Sequence, residues 1–366
     1  MTVSSLFSPA ALGPLQIANR MAVAPMTRVS ALADGRATPR MAEYYAEFAA
    51  GGFGLVITEG IYTDRAFAQG YLHQPGLADE AHRDAWRPIV DRVHAAGGKI
   101  VAQLMHAGAI SQGNPHRVPA KGPSAIQPAG AQMSFYRGEG PYRMPEEMSA
   151  EEVAEAIDGF ASAAVRAREV GFDGVEIHGA NGYLLDQFLT EHTNQRSDGY
   201  GGDLRARLRL GVDTIQAVRR AVGVDFAVGY RVSQGKVNDF AHKWRGGEAD
   251  AATVFRTLSA TPIDYLHTTE FEAWQPAFGE GPSLALLAQR HGSVPVIANG
   301  SLHDAGRAAD MLDREEATVI ALGRGALTHA DWPRRVRDGL PVEAFNRALL
   351  SPIADLANAD RLRPGR

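Results

Sequence analysis

Apolar runs short enough for buried strands recur along this chain, and each stops at small or polar residues. They cover residues 21–26, 54–59, 99–105, 174–178, 226–232, 264–268, 295–299 and 318–322. Between most of them the apolar spacing becomes helical, as in 80–96, 150–170, 204–221, 250–258, 282–291 and 305–314. Ser149 ahead of Glu151 and Glu152 is a helix start, and Gly171 is the matching stop. Strands alternating with helices imply parallel pairing, and eight such units predict an α/β fold closed into a (β/α)₈ TIM barrel. An open doubly wound sheet would carry Gly-x-Gly-x-x-Gly after its first strand. Here that place is taken by Ala24-Pro25-Met26-Thr27-Arg28.

Two stretches break the rhythm. Leu12-Gly13-Pro14-Leu15-Gln16-Ile17, ahead of the first barrel strand, reads as a hairpin that plugs the barrel bottom. Residues 106–148, after the third strand, are too long for one helix and carry several prolines and glycines. A connection of that length is expected to be a functional cap. With no linker and no repeat, residues 1–366 read as one domain with the cap inserted.

Composition narrows the class. Apolar residues make up 45% and charged residues 22%, as in a well-packed globule. The net charge of −5 with no basic run argues against nucleic acid. No apolar stretch is long enough for a bilayer, and the N-terminus lacks a signal-peptide pattern, so a cytoplasmic protein is expected. The absence of cysteine excludes disulfides, thiolate metal sites and cysteine-held iron–sulfur clusters.

In such barrels the chemistry gathers at the C-terminal ends of the strands. Those ends supply Thr27, Glu59, Gln103, His178, Arg231, Thr268, Asn299-Gly300 and Gly323-Arg324. Loops after the seventh and eighth strands often bind phosphate, and Asn299-Gly300-Ser301 with Gly323-Arg324-Gly325 suits that, although a tight turn needing glycine reads equally well. Gln103 and Arg231 suit the edge of a heteroaromatic ring, so a flat nucleotide-like cofactor is expected across the barrel mouth. His178, Asn181 and Tyr183 put two neutral hydrogen-bond donors beside a phenol, a set able to hold an oxyanion and deliver a proton. A metal hydrolase would need three or four convergent ligands, and beyond Glu176 and His178 only His106 and His267 lie near strand ends. A Schiff-base aldolase would need a lysine in the barrel mouth. Lys99 starts its strand at the wrong end, and Lys121, Lys236 and Lys243 lie in loops.

These residues, in this order, resemble the old yellow enzyme family of FMN-dependent ene-reductases. The resemblance runs through Ala24-Pro25-Met26-Thr27-Arg28, Gly52 to Gly60 and Gln103-Leu104-Met105-His106-Ala107-Gly108. It continues over His178-Gly179-Ala180-Asn181-Gly182-Tyr183-Leu184-Leu185-Asp186-Gln187-Phe188-Leu189 and Asn194 to Gly202, and closes with Asn299-Gly300 and Leu322-Gly323-Arg324. It implies FMN as cofactor and NAD(P)H as reductant, with a small electron-poor alkene as substrate and a monomer or homodimer as the assembly. Pro25, Met26, Thr27, Glu59, Gln103, Arg231, Asn299, Gly300, Gly323 and Arg324 would then form the cofactor site. Thr27 would sit near the flavin C4 carbonyl and Arg231 near its N1 edge, with Gly300, Gly323 and Arg324 on the phosphate. His178 and Asn181 would bind the substrate carbonyl, and Tyr183 would protonate the α-carbon. Without cysteines, the chain resembles the short branch rather than the long iron–sulfur relatives. From the residues alone, a non-redox phosphate-binding isomerase and a flavin protein without alkene turnover stay open.

Overall fold

The structure, a computed structural model, describes residues 3–116 and 119–362. Its centre is a closed barrel of eight parallel strands: β1 Met21–Val23, β2 Leu55–Ile57, β3 Lys99–Met105, β4 Gly174–Asn181, β5 Ala227–Lys236, β6 Tyr265–Thr269, β7 Val296–Asn299 and β8 Val319–Leu322. Each strand pairs with the next, and β8 pairs back onto β1 through Ile320 and Met21. Closure leaves no open edge, so every interior backbone group has a ladder partner without help from water. A two-residue strand, Ile61–Tyr62, adds to the upper end of β3.

The helices lie outside, at Pro39–Ala50, Glu80–Ala95, Ala150–Val170, Leu204–Val222, Glu248–Ser259, Leu284–His291 and Ala305–Asp313, with Arg324–Thr328 and Trp332–Arg337 after β8. Local sequence explains their ends. Ser149 Oγ accepts the Glu152 N–H at 3.2 Å while the Glu152 carboxylate accepts the Ser149 N–H at 2.9 Å. That reciprocal cap satisfies two donors that a helix start leaves unpaired, and Gly171 ends the same helix at φ 102°. The helix Pro39–Ala50 is absent from the sequence expectation. Its signals are nevertheless there: Thr38 at the cap, Pro39 in the first turn, and a buried stripe of Met41, Tyr44, Tyr45 and Phe48.

Of three apolar clusters among the described residues, two belong to the barrel itself. One fills the layer between barrel and helices. The other lies inside the barrel, where Ala22, Leu55, Ile57, Val101, Tyr265, Ile297 and Val319 meet Leu12, Leu15 and Ile17. The last three come from a hairpin, Ala10–Leu12 with Leu15–Ile17, which therefore closes the barrel from below as expected. Full burial of each such aliphatic side chain is worth roughly 1.5–3 kcal/mol, enough to hold the plug in place.

Two strands run past their expected ends. β4 continues from His178 to Asn181, and β5 from Val232 to Lys236, because the two pair with each other that far. His178 is opposite Arg231 and Asn181 is opposite Lys236, with a register shift between Val232 and Lys236. The polar residues that mark a strand end in the sequence are here drawn into the ladder by their neighbour, a tertiary override of local pattern. Among the described residues no helix is long and apolar enough to cross a membrane.

Candidate active site

An open cleft of about 1140 Å³ lies over the barrel mouth. Its wall collects Pro25, Met26 and Thr27 after β1, Gln103 on β3, His178, Asn181 and Tyr183 on and after β4, Arg231 on β5, and Gly323 with Arg324 after β8. Residues separated by up to about three hundred positions are brought together because each follows or ends a neighbouring strand of one barrel.

Glu176 organises the buried end. It is fully buried on β4, and its carboxylate accepts Gln103 Nε2–H at 2.8 Å and meets His267 Nδ1 at 2.8 Å. Desolvation pushes this carboxyl up, but His267, Arg231 and Gln103 together hold it below the ordinary carboxylate range. It therefore stays ionised and serves as counter-charge to Arg231, whose Nη2 donates to Asn299 Oδ1 at 3.0 Å. Thr269 Oγ1 donates to the same oxygen at 2.8 Å, and Asn299 Nδ2 donates to Ala321 O at 2.8 Å. Asn299 is thus a buttress for Arg231 rather than part of the cleft lining.

His178 presents a defined face. Burial, followed by the charges of Arg231 and His267, lowers its pKa well below the ordinary histidine value, so it is neutral near pH 7. Its Nδ1 accepts the Ala180 N–H at 3.3 Å, which assigns the ring proton to Nε2. A neutral imidazole with Nε2–H free is a hydrogen-bond donor. Its ring sits edge-on to Tyr183, 4.9 Å between centroids. The Tyr183 hydroxyl is hydrogen-bonded to that of Tyr71, and burial pushes both phenols far above the ordinary value. Tyr183 therefore keeps its proton at neutral pH. His106, the remaining metal candidate, turns its Nδ1 to the Gly108 N–H at 3.1 Å.

The opposite end holds a cation. Arg324 is exposed, donates through Nη2 to Ser301 Oγ, and lies 5.5 Å from the centre of the Phe271 ring. Of the two glycines expected there, the structure separates the reasons. At Gly300, with φ 147°, a Cβ would strike Glu270 O at 2.3 Å, so the turn itself demands glycine. At Gly323 a Cβ would meet Met26 Sδ at 3.6 Å, an ordinary contact, so no close approach of the protein demands glycine there. The exposed Arg324, together with Arg231, which lines the same cleft with its Nε unpartnered, fits a cofactor with an anionic end and a polar ring edge.

Glu59 departs from its expected place. It is buried away from the cleft lining, accepting the Arg28 N–H at 2.8 Å and the Tyr45 hydroxyl at 3.1 Å. The strand signal places Glu59 at the right end of β2, but the helix Pro39–Ala50 captures its side chain through Tyr45. Burial raises its pKa to about 7 despite the pull of those bonds and of Arg28. A carboxyl bound more tightly to its proton in the folded state contributes stability at low pH, and loses it as pH rises through about 7. Glu59→Gln, which keeps the Arg28 bond through its oxygen and can meet the Tyr45 hydroxyl oxygen with its amide N–H, should remove that loss. The wild-type unfolding free energy is expected to fall about 3 kcal/mol further than the variant's between pH 4 and pH 8. Denaturant titrations of both proteins across that range check this, and parallel pH profiles would count against it.

Several wall residues carry no sequence signal of their own. Met105, Met133, Val237, Phe240 and Leu350 line the cleft, Leu350 from beyond the barrel and Phe240 from the turn after β5. The cap contributes Phe135 and Tyr136 and is tied to the C-terminal segment by Ala354 N–H to Phe135 O at 2.9 Å and by the Arg137–Asp355 ion pair at 2.7 Å.

Comparisons with known proteins agree with this geometry. Residues 5–343 match the NADH:flavin oxidoreductase / NADH oxidase family. The chain is 30% identical to an NADH oxidase from Thermoanaerobacter brockii over 92% of its own length, and spans 51% of that protein. It is 32% identical to a probable flavin mononucleotide-dependent alkene reductase from Leishmania infantum, covering 93% of this chain and 92% of the relative. The solved old yellow enzyme homologue from Zymomonas mobilis superposes with a TM-score of 0.87 at 32% identity, covering 97% of this chain and 99% of that one.

Proposed function

Because the chain belongs to the NADH:flavin oxidoreductase / NADH oxidase family, the FMN-using family of the old yellow enzymes, we propose that it reduces the activated C=C bond of α,β-unsaturated carbonyl and related electron-poor alkenes with NAD(P)H. The observation that carries this reading is the neutral, Nε2-protonated His178 beside Asn181 and Tyr183, on the same cleft wall as Gln103, Arg231 and Thr27. Pro25, Met26, Thr27, Gln103 and Arg231 would hold the ring of FMN, and Gly300, Gly323 and Arg324 its phosphate. Bound there and reduced by NAD(P)H, FMN supplies the hydride that adds to the alkene β-carbon.

The remaining work falls to the chain. As the β-carbon gains the hydride, negative charge develops on the substrate carbonyl oxygen. His178 Nε2–H and the Asn181 amide bind that oxygen and stabilise it more as an enolate than as a ketone, which lowers the barrier. With Tyr71 as donor in the bond between the two hydroxyls, the Tyr183 proton would be free to reach the α-carbon. The cap and C-terminal segment border the centre, where Phe135, Tyr136 and Leu350 line the cleft. Coenzyme and alkene then use the same cleft in turn, a ping-pong cycle.

Anaerobic reaction of the FMN-loaded protein with NAD(P)H and an enone tests the proposal. It expects one saturated ketone per coenzyme oxidised. FMN that is reduced by NAD(P)H but is reoxidised by no enone, quinone or nitroalkene would overturn it. Tyr183→Phe should slow enone reduction roughly 10²-fold, the lower end of what a general acid supplies, while FMN reduction by NAD(P)H stays near wild type. Stopped-flow measurement of the two half-reactions separates these, and equal slowing of both would remove the acid role.

A further inference from the structure

Asn181 holds φ at 62°, in the left-handed region that asparagine adopts more readily than other non-glycine residues but still at some cost. The turn it begins stands between two open spaces. On one side is the catalytic cleft, reached by Asn181 and Tyr183. On the other is a second cavity of about 760 Å³ that reaches Gly182, Gln187, Lys236 and Asn238. With space on both faces, side-chain packing cannot fix this turn.

Polar contacts do so instead. The Asn181 N–H donates to Ser233 Oγ at 2.8 Å, and the Val237 N–H donates to Asn181 O at 3.0 Å. The Gly182 N–H donates to Asp186 Oδ2 at 2.6 Å. The other oxygen of Asp186 takes the Lys236 ammonium at 2.5 Å. Lys236 is the strand partner of Asn181 across β4 and β5. Asp186 is fully buried and Lys236 is 6% exposed. Burial pushes the Asp186 carboxyl up, and Lys236 opposes that shift. Replacing a buried pair of this kind by apolar side chains is often neutral or stabilising, so its presence is poorly explained by stability alone.

We propose that the Asp186–Lys236 ion pair is a positioning unit for Asn181, locking the Asn181–Gly182 turn so that the Asn181 amide already stands where the substrate oxyanion develops. This rests on the reading of Asn181 as a carbonyl ligand. A loosened turn can still follow a neutral carbonyl, but it must be re-ordered at the moment charge builds. Loss of the pair therefore lowers kcat far more than it raises KM.

The test uses the FMN-loaded protein, 2-cyclohexenone as substrate and p-nitrophenol as an oxyanion probe. Lys236→Met is expected to weaken phenolate binding roughly tenfold and to lower kcat by ten- to a hundredfold, with KM within twofold and FMN content unchanged. The neutral double variant Asp186→Asn/Lys236→Met keeps an acceptor for the Gly182 N–H and should show the same losses, and it decides the matter if Lys236→Met does not fold. Wild-type probe affinity and kcat in the double variant would overturn the proposal and leave the pair a structural element. Asn181→Ala, run alongside, must itself weaken phenolate binding. If it does not, the carbonyl-ligand reading fails, and the proposal fails with it.

Discussion

Removing both proposed carbonyl donors, in His178→Ala/Asn181→Ala, should cut enone turnover by at least roughly 10²-fold while FMN remains bound. The size follows from the environment rather than from the hydrogen bonds alone. His178 is buried and held neutral, so its Nε2–H is a fixed dipole in a poorly solvated site and needs no reorganisation as charge appears. The Asn181 backbone is held by two hydrogen bonds, and the N–H of the next residue, Gly182, by a third. Loss of either donor leaves a developing oxyanion facing an apolar gap, and the single variants should each show most of the loss because the two act on one oxygen. Steady-state kinetics with cyclohexenone, alongside the flavin absorbance of the same preparations, check this. Alkene reduction unchanged in an FMN-loaded double variant would refute the role given to both residues.

Glu176→Gln should destabilise the apoprotein by roughly 1–3 kcal/mol, although the change is nearly isosteric. The reason is Arg231, which is 6% exposed with an unpartnered Nε and whose charge Glu176 balances from beyond ion-pair contact. A neutral Gln keeps a partner for Gln103 but leaves that guanidinium buried without a compensating charge. The second variant needed is Glu176→Gln/Arg231→Met, in which both charges are gone. Most of the lost stability should return, the signature of a coupled pair in a double-mutant cycle. Urea titrations of the four proteins measure it. A double variant as unstable as the sum of the two singles would show that Glu176 and Arg231 act independently.

Much of this site was legible because barrel geometry converts sequence order into spatial order. Once the strands are counted, their ends must converge, and Thr27, Gln103, His178, Arg231 and Arg324 do. What stayed hidden depends on contacts between segments far apart in the chain. Glu59 marks a strand end as plainly as Gln103 does, but Tyr45 and the Arg28 backbone claim its carboxylate, and no local pattern records that. Asn299 and Gly300 match a phosphate loop, but no local pattern shows that Asn299 also braces Arg231 or that the Glu270 carbonyl leaves no room for a Cβ at Gly300. Asp186 and Lys236 read as an ordinary helix residue and a loop lysine. Only the pairing of β4 with β5 beyond their apolar runs makes them partners. Leu350 reaches the cleft from beyond the last strand, where periodicity says nothing about direction.

The hairpin formed by Ala10–Leu12 and Leu15–Ile17 has a consequence for traffic. It seats Leu12, Leu15 and Ile17 against a barrel interior already filled by side chains, so nothing can be delivered to the reacting centre from behind. On the proposed reading, coenzyme and alkene would therefore both enter and leave by the cleft that Phe135, Phe240 and Leu350 help to line.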